Sequence, residues 1–144
     1  MLRKPMYFLS ALILVGGVAA IFGQKAGKHH VVVDVTMTGP DAWTPVLNGV
    51  ENMQKAFGAA NVDIEVVAHE KGLSMVVKAS DPGLAERMQQ IAATGVVFAA
   101  CENSMHHQHV TKSDLFPFDI TVDSGAAELV RKQEAGWAYI KAGS

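Results

Sequence analysis

The residues best suited to chemistry lie in one stretch, 95–109, which reads GVVFAACENSMHHQH. Cys101 is the only cysteine among the 144 residues, and it directly follows the apolar run Val96–Ala100. Three of the six histidines follow within eight residues of it. A single cysteine cannot form a disulfide within the chain, so the thiol is free, bound to a metal or paired with another molecule.

One interpretation of Cys101 is a nucleophilic thiol. If a helix begins at Glu102, Cys101 lies at its first turn, where unpaired backbone N–H groups and the helix dipole stabilise a thiolate. Glu102 opposes this effect by like-charge repulsion, so we expect an accessible, reactive thiol without an extreme pKa. The alternative interpretation is a small buried hydrophobic residue, the commonest state of a free cysteine.

A metal site is a second hypothesis for the same stretch. On a helix Cys101, Met105 and His109 are spaced four residues apart and line one face. Thiolate, thioether and imidazole ligands together suit copper, and imidazole with thiolate suits zinc. The full alternative ligand set, for copper or haem, is Cys101, Met105, His106, His107 and His109. The competing interpretation of the three histidines is a solvated polar turn. The hypothesis of a nucleophilic thiol, in contrast to the metal site, requires no cofactor.

The elements that must position these residues follow from the apolar pattern. Short β-branched runs predict strands, and apolar residues three and four apart predict helices between them. Asp41 is the expected cap of the first helix, Asp81 with Pro82 opens the second, and Asp123 or Ser124 opens the last. The predicted strands are 30–37, 62–68, 96–100, 119–122 and 137–140, and the main helices are 41–57, 82 to the glycine at 95, and 125 to the glycine at 136.

This alternation of strands and helices predicts an α/β fold, with three α/β/α layers around a mainly parallel sheet of about five strands. Ligands of such sheets bind at the carboxyl ends of the strands. The sequence places Asp34 and Thr36 there after the first strand, His69 after the second, and Cys101 with Asn103 after the third. His69 or His106 is then a candidate to accept the thiol proton.

The first residues form a separate unit in the sequence. Arg3 and Lys4 precede eighteen uncharged residues, Met6–Gly23, which would span roughly 27 Å as a helix. This N-terminal hydrophobic helix is expected to be either a cleaved signal peptide or an uncleaved anchor in the membrane. We therefore divide the chain into a signal or anchor (1–24), a linker (25–30) and an α/β domain (31–144), with the domain exported to the periplasm.

Composition and missing motifs exclude several classes. The net charge is −2 and the twelve Lys and Arg residues are scattered, so no basic surface for nucleic acid is expected. The chain lacks GxGxxG, GxxxxGK[ST] and GxSxG, and with them the phosphate cradles and the serine nucleophile of common enzyme classes.

Five blocks of the chain, in order, resemble the DsrE/DsrF-like family of small sulfur-trafficking proteins. They are LNGVENMQKAFG, VDIEVVAHEKGL, GVVFAACENSM, KSDLFPF and SGAAELVRKQEAGWAYIKAG. The resemblance covers residues 31–143. Two features depart from it: the sequence MHHQHV after the cysteine block, and Glu70, which replaces a usual glycine after the histidine of the second strand.

The resemblance implies a compact α/β fold, homo-oligomers such as trimers or hexamers, and a cysteine that carries sulfane sulfur as a persulfide. It matches Cys101 to the family cysteine, His69 to a recurrent histidine, and Asn103 and Asn48 to recurrent polar positions. The expected function is an exported sulfur carrier or sulfurtransferase-like protein that exchanges sulfur with the thiol of a donor or acceptor protein. The alternatives are a non-catalytic subunit of a membrane complex and the metal or haem module.

Overall fold

A computed structural model of the protein describes residues 27–143. Its five strands and four α-helices alternate along the chain, and a 3₁₀ helix, Glu70–Val76, follows the second strand. The strands are β1 (His29–Val35), β2 (Val62–Ala68), β3 (Val97–Cys101), β4 (Ile120–Val122) and β5 (Ala138–Ala142). The helices are α1 (Pro40–Phe57), α2 (Pro82–Ala93), α3 (Glu102–His107) and α4 (Gly125–Glu134).

The strands form one parallel sheet in the order β4-β3-β2-β1-β5. The register pairs Val35 with Ala68 and Ala68 with Ala100, so all strands end at a common edge. The predicted α/β fold with a parallel five-stranded sheet is confirmed. The residue after β2 and the last residue of β3 therefore lie side by side.

The larger core lies between one sheet face and helices α1 and α2. Alternate residues of the strands point into it, and Phe98, Leu47 and Val66 have no exposed surface. The apolar stripe of α1 supplies Trp43, Val46, Leu47 and Val50, as the sequence spacing predicts. This core holds the sheet rigid beneath the other face.

The second face of the sheet is covered by α4. The core there is small and consists of Val32, Val67, Ala99 and Leu129. Two buried carboxylates share this face: Asp34 on β1 is 6% exposed and Glu65 on β2 is 3% exposed. Glu65 pairs with Lys132 of α4, with 2.5 Å between Oε2 and Nζ. The charged residues Asp34 and Glu65, both buried, thus lie together under α4.

Several details differ from the sequence predictions. Gly39, and not Asp41, precedes α1, because Pro40 begins the helix and Asp41 falls in its first turn. The apolar residue Val130 of α4, which the three- and four-residue spacing of that helix predicts to be buried, is 53% exposed. Strand β5 is mostly exposed because it is an edge strand, although its apolar residues resemble those of a buried strand.

The predicted caps of the other two main helices are present. Asp81 Oδ1 accepts the backbone N–H of Leu84 at the start of α2, and Ser124 Oγ accepts that of Ala127 at the start of α4. The apolar segment Met6–Gly23 lies outside the described residues. Within residues 27–143 no helix has the length and apolar character needed to cross a membrane.

Candidate functional site

Cys101 is the last residue of β3, and its side chain lies on the sheet face covered by α4. The neighbouring strand residue in register is Val122, three positions before the start of α4. The side chain is buried, with 4% of the residue exposed. The expectation of an accessible thiol is therefore wrong for this conformation, because α4 begins directly over the end of β3.

Two helix N-termini converge on the sulfur of Cys101. The Sγ atom accepts the backbone N–H of Ser104 in the first turn of α3 at 3.4 Å. It also accepts the backbone N–H of Gly125, the first residue of α4, at 3.2 Å. These N–H groups have no partner within their own helices, so they are free to bond a ligand or a side chain. The positive ends of the two helix dipoles, which lie at these N-termini, favour a negative charge on the sulfur.

The hydroxyl group of Ser104 also acts on the Cys101 thiol, because it lowers the pKa of that group. Ser104 Oγ is held in place by the backbone N–H of Glu70, from which it accepts a hydrogen bond at 2.8 Å. Glu70 has a φ of 50°, a left-handed conformation that favours glycine. Its carbonyl accepts the side-chain amide of Gln108 at 2.6 Å. Two hydrogen bonds, to its N–H and to its carbonyl, therefore hold Glu70 in a conformation that favours glycine.

The balance of these contacts favours the thiolate. Burial raises the pKa of the Cys101 thiol, but the Ser104 hydroxyl and the backbone N–H groups of Gly125, Ser104 and Asn103 together bring it below its ordinary value. Glu102, which the sequence predicts to oppose the thiolate, has other partners for its carboxylate. Its Oε1 accepts the hydroxyl of Thr121 at 2.7 Å and lies 3.7 Å from Lys112 Nζ.

His69 lies beside Cys101 at the edge of the sheet. Because Ala68 pairs with Ala100, His69 and Cys101 occupy adjacent positions on neighbouring strands. Gly125 packs against both residues: its N–H reaches Cys101, and a β-carbon placed on it would lie 2.7 Å from His69 Cβ. The structure thus brings together the predicted pair of thiol and imidazole, with the start of α4 packed on them.

The imidazole of His69 is held by a buried carboxylate. His69 Nε2 lies 2.7 Å from Asp34 Oδ1, and the hydroxyl of Tyr139 donates to Asp34 Oδ2, also at 2.7 Å. The hydrogen bond to Asp34 raises the pKa of Tyr139. Three strands, β2, β1 and β5, therefore contribute to one chain of hydrogen bonds that ends beside the thiol.

The two asparagines implied by the resemblance have different surroundings. The backbone N–H of Asn103 helps to lower the pKa of the Cys101 thiol, and Asn103 itself is an exposed residue. Asn48 lies on α1, where its Oδ1 accepts from Arg87 at 2.6 Å together with Glu51 of the same helix. Asn48 therefore joins α1 to α2 and is not part of the Cys101 site.

The predicted metal ligands do not converge. Met105 is buried in the core on the α1–α2 face of the sheet, opposite to Cys101. The side chains of His106, His107 and His109 belong to exposed residues. Among residues 27–143, no three His, Cys, Asp or Glu side chains are grouped closely enough to share a metal ion.

His109 has a structural role at the end of α3. Its φ is 55°, its N–H bonds the carbonyl of His106, and the N–H of Val110 bonds that of Met105. This is the Schellman arrangement, in which a left-handed residue closes the helix. Histidine is among the residues that tolerate this conformation better than most. The position of His109 is thus explained by backbone geometry.

Sequence reasoning missed Ser104, Gly125 and Tyr139 as parts of the site. Ser104 had a local signal, since a residue three positions after a helix cap has its N–H directed back at that cap. Gly125 and Tyr139 are 24 and 38 residues from Cys101 in the chain. No local pattern predicts their contacts, which depend on the order of strands in the sheet.

Comparison with known proteins agrees with this architecture. Three solved structures share the fold over most of their length. A protein of unknown function, MTH1491, from Methanobacterium thermoautotrophicum is 27% identical with a TM-score of 0.74, and the match covers 79% of this chain and 99% of that one. The ychN protein from E. coli is 12% identical with a TM-score of 0.59 (80% of this chain, 98% of that one), and a conserved protein of unknown function, BT1422, from Bacteroides thetaiotaomicron is 14% identical with a TM-score of 0.60 (78% of this chain, 93% of that one). No curated protein matches the sequence.

The family comparison is the most specific. The sequence profile of the DsrE/DsrF-like family matches residues 30–142. This range includes all four helices and all five strands, except for the first residue of β1. This match agrees with the resemblance found in the sequence blocks around His69 and Cys101. The chain therefore belongs to the DsrE/DsrF-like family.

Proposed function

We propose that this protein is a sulfur carrier that holds sulfane sulfur as a persulfide on Cys101. The observation that carries the proposal is the convergence of two helix N-termini on one sulfur atom, through the backbone N–H groups of Ser104 and Gly125. A thiolate is the attacking species in sulfur exchange, and these donors stabilise it. Membership in a family generally linked to sulfur relay supports the same chemistry.

The proposed reaction has two steps. The Cys101 thiolate attacks the outer sulfur of a donor such as thiosulfate; a sulfur–sulfur bond forms on Cys101 as the donor's sulfur–sulfur bond breaks, and sulfite leaves with the electron pair. An acceptor thiolate then attacks the outer sulfur of the protonated persulfide, and the Cys101 thiolate is regenerated. His69 is the candidate carrier of the proton, taking it from the thiol and returning it to the outer sulfur.

Mass spectrometry of the intact purified domain, after incubation with thiosulfate or polysulfide, tests this function. We expect a mass increase of one sulfur atom, removed again when a small thiol is added as acceptor. Cys101→Ser is the matched control, because it differs by one atom and removes the only thiol of the chain. No adduct on the native protein, or an adduct that persists in Cys101→Ser, would overturn the proposal.

The burial of Cys101 favours one alternative, a non-catalytic accessory subunit of a membrane complex. A thiol that is 4% exposed has to be uncovered before it can meet a donor protein. If the closed conformation is permanent, neither thiosulfate nor an alkylating reagent reacts with the folded protein. Slow alkylation of Cys101 at a rate equal to that of global unfolding would identify this alternative.

A homo-oligomer is part of the proposal. Edge strand β5 exposes Tyr139 and Ile140, which are 42% and 43% exposed. Beside it, a groove of about 290 Å³ is lined by Ile140 and by apolar residues of α1, among them Val46 and Met53. An exposed strand edge can pair with another chain, and an exposed apolar patch beside it is typical of an interaction site. Sedimentation at several concentrations distinguishes a trimer or hexamer from a monomer.

We also propose that residues 1–24 direct export of the protein to the periplasm. They act either as an anchor that stays in the membrane or as a signal peptide that is cleaved. The support is the uncharged segment Met6–Gly23 with basic residues before it. N-terminal sequencing of the native protein separates the two forms: a start at Met1 indicates an anchor and a start near residue 25 a cleaved signal. A cytosolic, full-length protein would contradict both.

A further inference from the structure

The carboxylate of Asp34 is costly where it lies. Asp34 is 6% exposed on a sheet face whose other residues on β1 and β2 include Val32 and Val67. Burying an ion costs several kcal/mol, and an apolar side chain of similar size is often at least as stabilising. Strongly desolvated polar groups next to a reactive side chain are therefore candidates for a functional role.

The contacts of Asp34 determine which ring nitrogen of His69 carries a proton. An ionised carboxylate only accepts hydrogen bonds, so at 2.7 Å from Asp34 Oδ1 the Nε2 atom of His69 is the donor. The hydroxyl of Tyr139 donates to the second oxygen and holds the carboxylate itself in place. Nδ1 is left as the nitrogen that gains or loses a proton.

The same contacts fix the position of the ring next to the thiol. The His69 side chain fits against Gly125 so closely that a β-carbon there would approach its Cγ to 2.8 Å. Gly125 in turn bonds Cys101 Sγ. A rotation of the imidazole away from Asp34 would therefore move His69 from its position as proton carrier. It would also press on Gly125, whose N–H is a donor to the sulfur.

We propose that Asp34 is a positioning residue of the Cys101 site: its carboxylate, held by Tyr139, fixes His69 in the tautomer and orientation in which the imidazole takes up the thiol proton. This inference rests on the proposed sulfur chemistry at Cys101. Asp34 does not touch the reacting atoms and acts through His69. The titratable groups bonded to the ring or to its partner are Asp34 and Tyr139. Cys101 lies at the adjacent position of β3, Glu70 follows His69 in the chain, and Lys141 is paired with Asp34 in the register of β1 and β5. The carboxylate of Glu102 is directed to Thr121 and Lys112.

Asp34→Asn tests the proposal, because it keeps the size of the side chain and removes its charge. The amide can donate to His69 and so favours the opposite tautomer. We expect sulfur loading from thiosulfate at neutral pH to slow by about tenfold or more, and the pH midpoint of Cys101 alkylation by iodoacetamide to rise. ¹⁵N NMR of the His69 ring should report loss of the Nε2–H tautomer. Tyr139→Phe should act in the same direction with a smaller effect.

Glu65→Gln is the matched control. Glu65 is also a buried carboxylate on the same face of the sheet, but its partner is Lys132. We expect it to change stability and to leave the tautomer, the alkylation profile and the loading rate unchanged. The proposal would be overturned if Asp34→Asn had the wild-type tautomer, alkylation profile and loading rate. It would also be overturned if Asp34→Asn and Glu65→Gln changed these three quantities equally. If Asp34→Asn does not fold, Tyr139→Phe decides by the same three measurements.

These measurements separate the two proposals. Alkylation and NMR do not require sulfur transfer, so they test the positioning role even if the wild-type protein accepts no sulfur. Absence of loading in the wild type, with a shifted alkylation profile in Asp34→Asn, refutes the sulfur carrier and retains the role of Asp34 in setting the thiol. Normal loading in Asp34→Asn with a native tautomer refutes the positioning role alone.

Discussion

Gly125 donates its backbone N–H to Cys101 Sγ across 3.2 Å, and this contact joins the start of α4 to the end of β3. It has two consequences. It supplies one of the donors that stabilise the thiolate, and it requires a residue without a side chain, since the ring of His69 occupies the space where a β-carbon would lie. The reactivity of Cys101 and the packing of α4 are therefore coupled at one position.

Gly125→Ala should disrupt this contact. The new β-carbon would lie 2.7 Å from His69 Cβ, so α4 or His69 must move, at a cost of roughly 1–3 kcal/mol in the free energy of unfolding. The pKa of the thiol should rise as the N–H withdraws. Urea unfolding and the pH profile of alkylation measure the two effects.

Gly49→Ala is the control for Gly125→Ala. Gly49 lies within α1, and a β-carbon there would have no atom within 4 Å from the rest of the described structure beyond its own stretch of helix. Alanine is the better helix former, so this variant should gain about 0.5–1 kcal/mol. A Gly125→Ala protein as stable as wild type, with an unchanged alkylation profile, would contradict the coupling of α4 to Cys101.

Ser104→Ala should raise the pKa of Cys101 towards the ordinary value of 9.0. A hydrogen bond to a charged group is worth about 1.5–3 kcal/mol, which corresponds to about one to two pKa units. In the native protein the thiol pKa is lower than in the unfolded chain, so its stabilising contribution is present above pH 9 and is lost as the pH falls through the folded value. The variant should weaken this dependence.

The alkylation rate of Ser104→Ala as a function of pH is the direct measurement. Ser113→Ala removes a hydroxyl that bonds Thr111 in a turn and serves as the control. An alkylation midpoint in Ser104→Ala identical to that of Ser113→Ala would show that the Ser104 hydroxyl does not act on the sulfur.

Asp119 should make the protein less stable as the pH rises. Burial raises the pKa of this carboxyl from 3.8 to about 7, and its Oδ1 has no hydrogen-bond partner among residues 27–143. Because the folded protein binds this proton more tightly than the unfolded chain, the stabilisation is full below pH 3.8 and is lost as the pH rises to about 7. The loss is up to about 1.4 kcal/mol per pH unit in that range.

Asp119→Asn keeps an oxygen to accept the N–H of Phe116 and cannot ionise. It should be more stable than the wild type by at least about 1 kcal/mol in urea unfolding at pH 8, with the advantage gone at pH 4. Parallel stability curves for the two proteins would show that Asp119 is ionised in the folded state throughout.

His109→Gly should stabilise the protein by up to about 1 kcal/mol, since glycine adopts the left-handed conformation at φ 55° without strain. Thermal unfolding measures the gain, and alkylation of Cys101 should be unchanged. His107→Gly, within α3, should instead lose about 0.5–1 kcal/mol. A loss of stability in His109→Gly, or altered thiol reactivity, would indicate that the imidazole has a role beyond closing the helix.

The sequence by itself determined the layout of the domain. Apolar periodicity and capping residues are local signals, and they located β2 at Val62–Ala68, the start of α2 after Asp81, and Cys101 at the end of a strand. Parallel strands share one edge for their carboxyl ends, so the proximity of His69 and Cys101 also followed from the pattern.

Only the tertiary structure decided the surroundings of the thiol. Gly125 reaches Cys101 from 24 residues away and Tyr139 reaches Asp34 from 105, contacts that depend on β5 pairing with β1 and on α4 crossing the sheet face. Burial of Cys101 and exposure of β5 follow from the same arrangement. Near neighbours in the chain determine helices and strands, whereas the partners of a side chain depend on which elements the folded sheet places beside it.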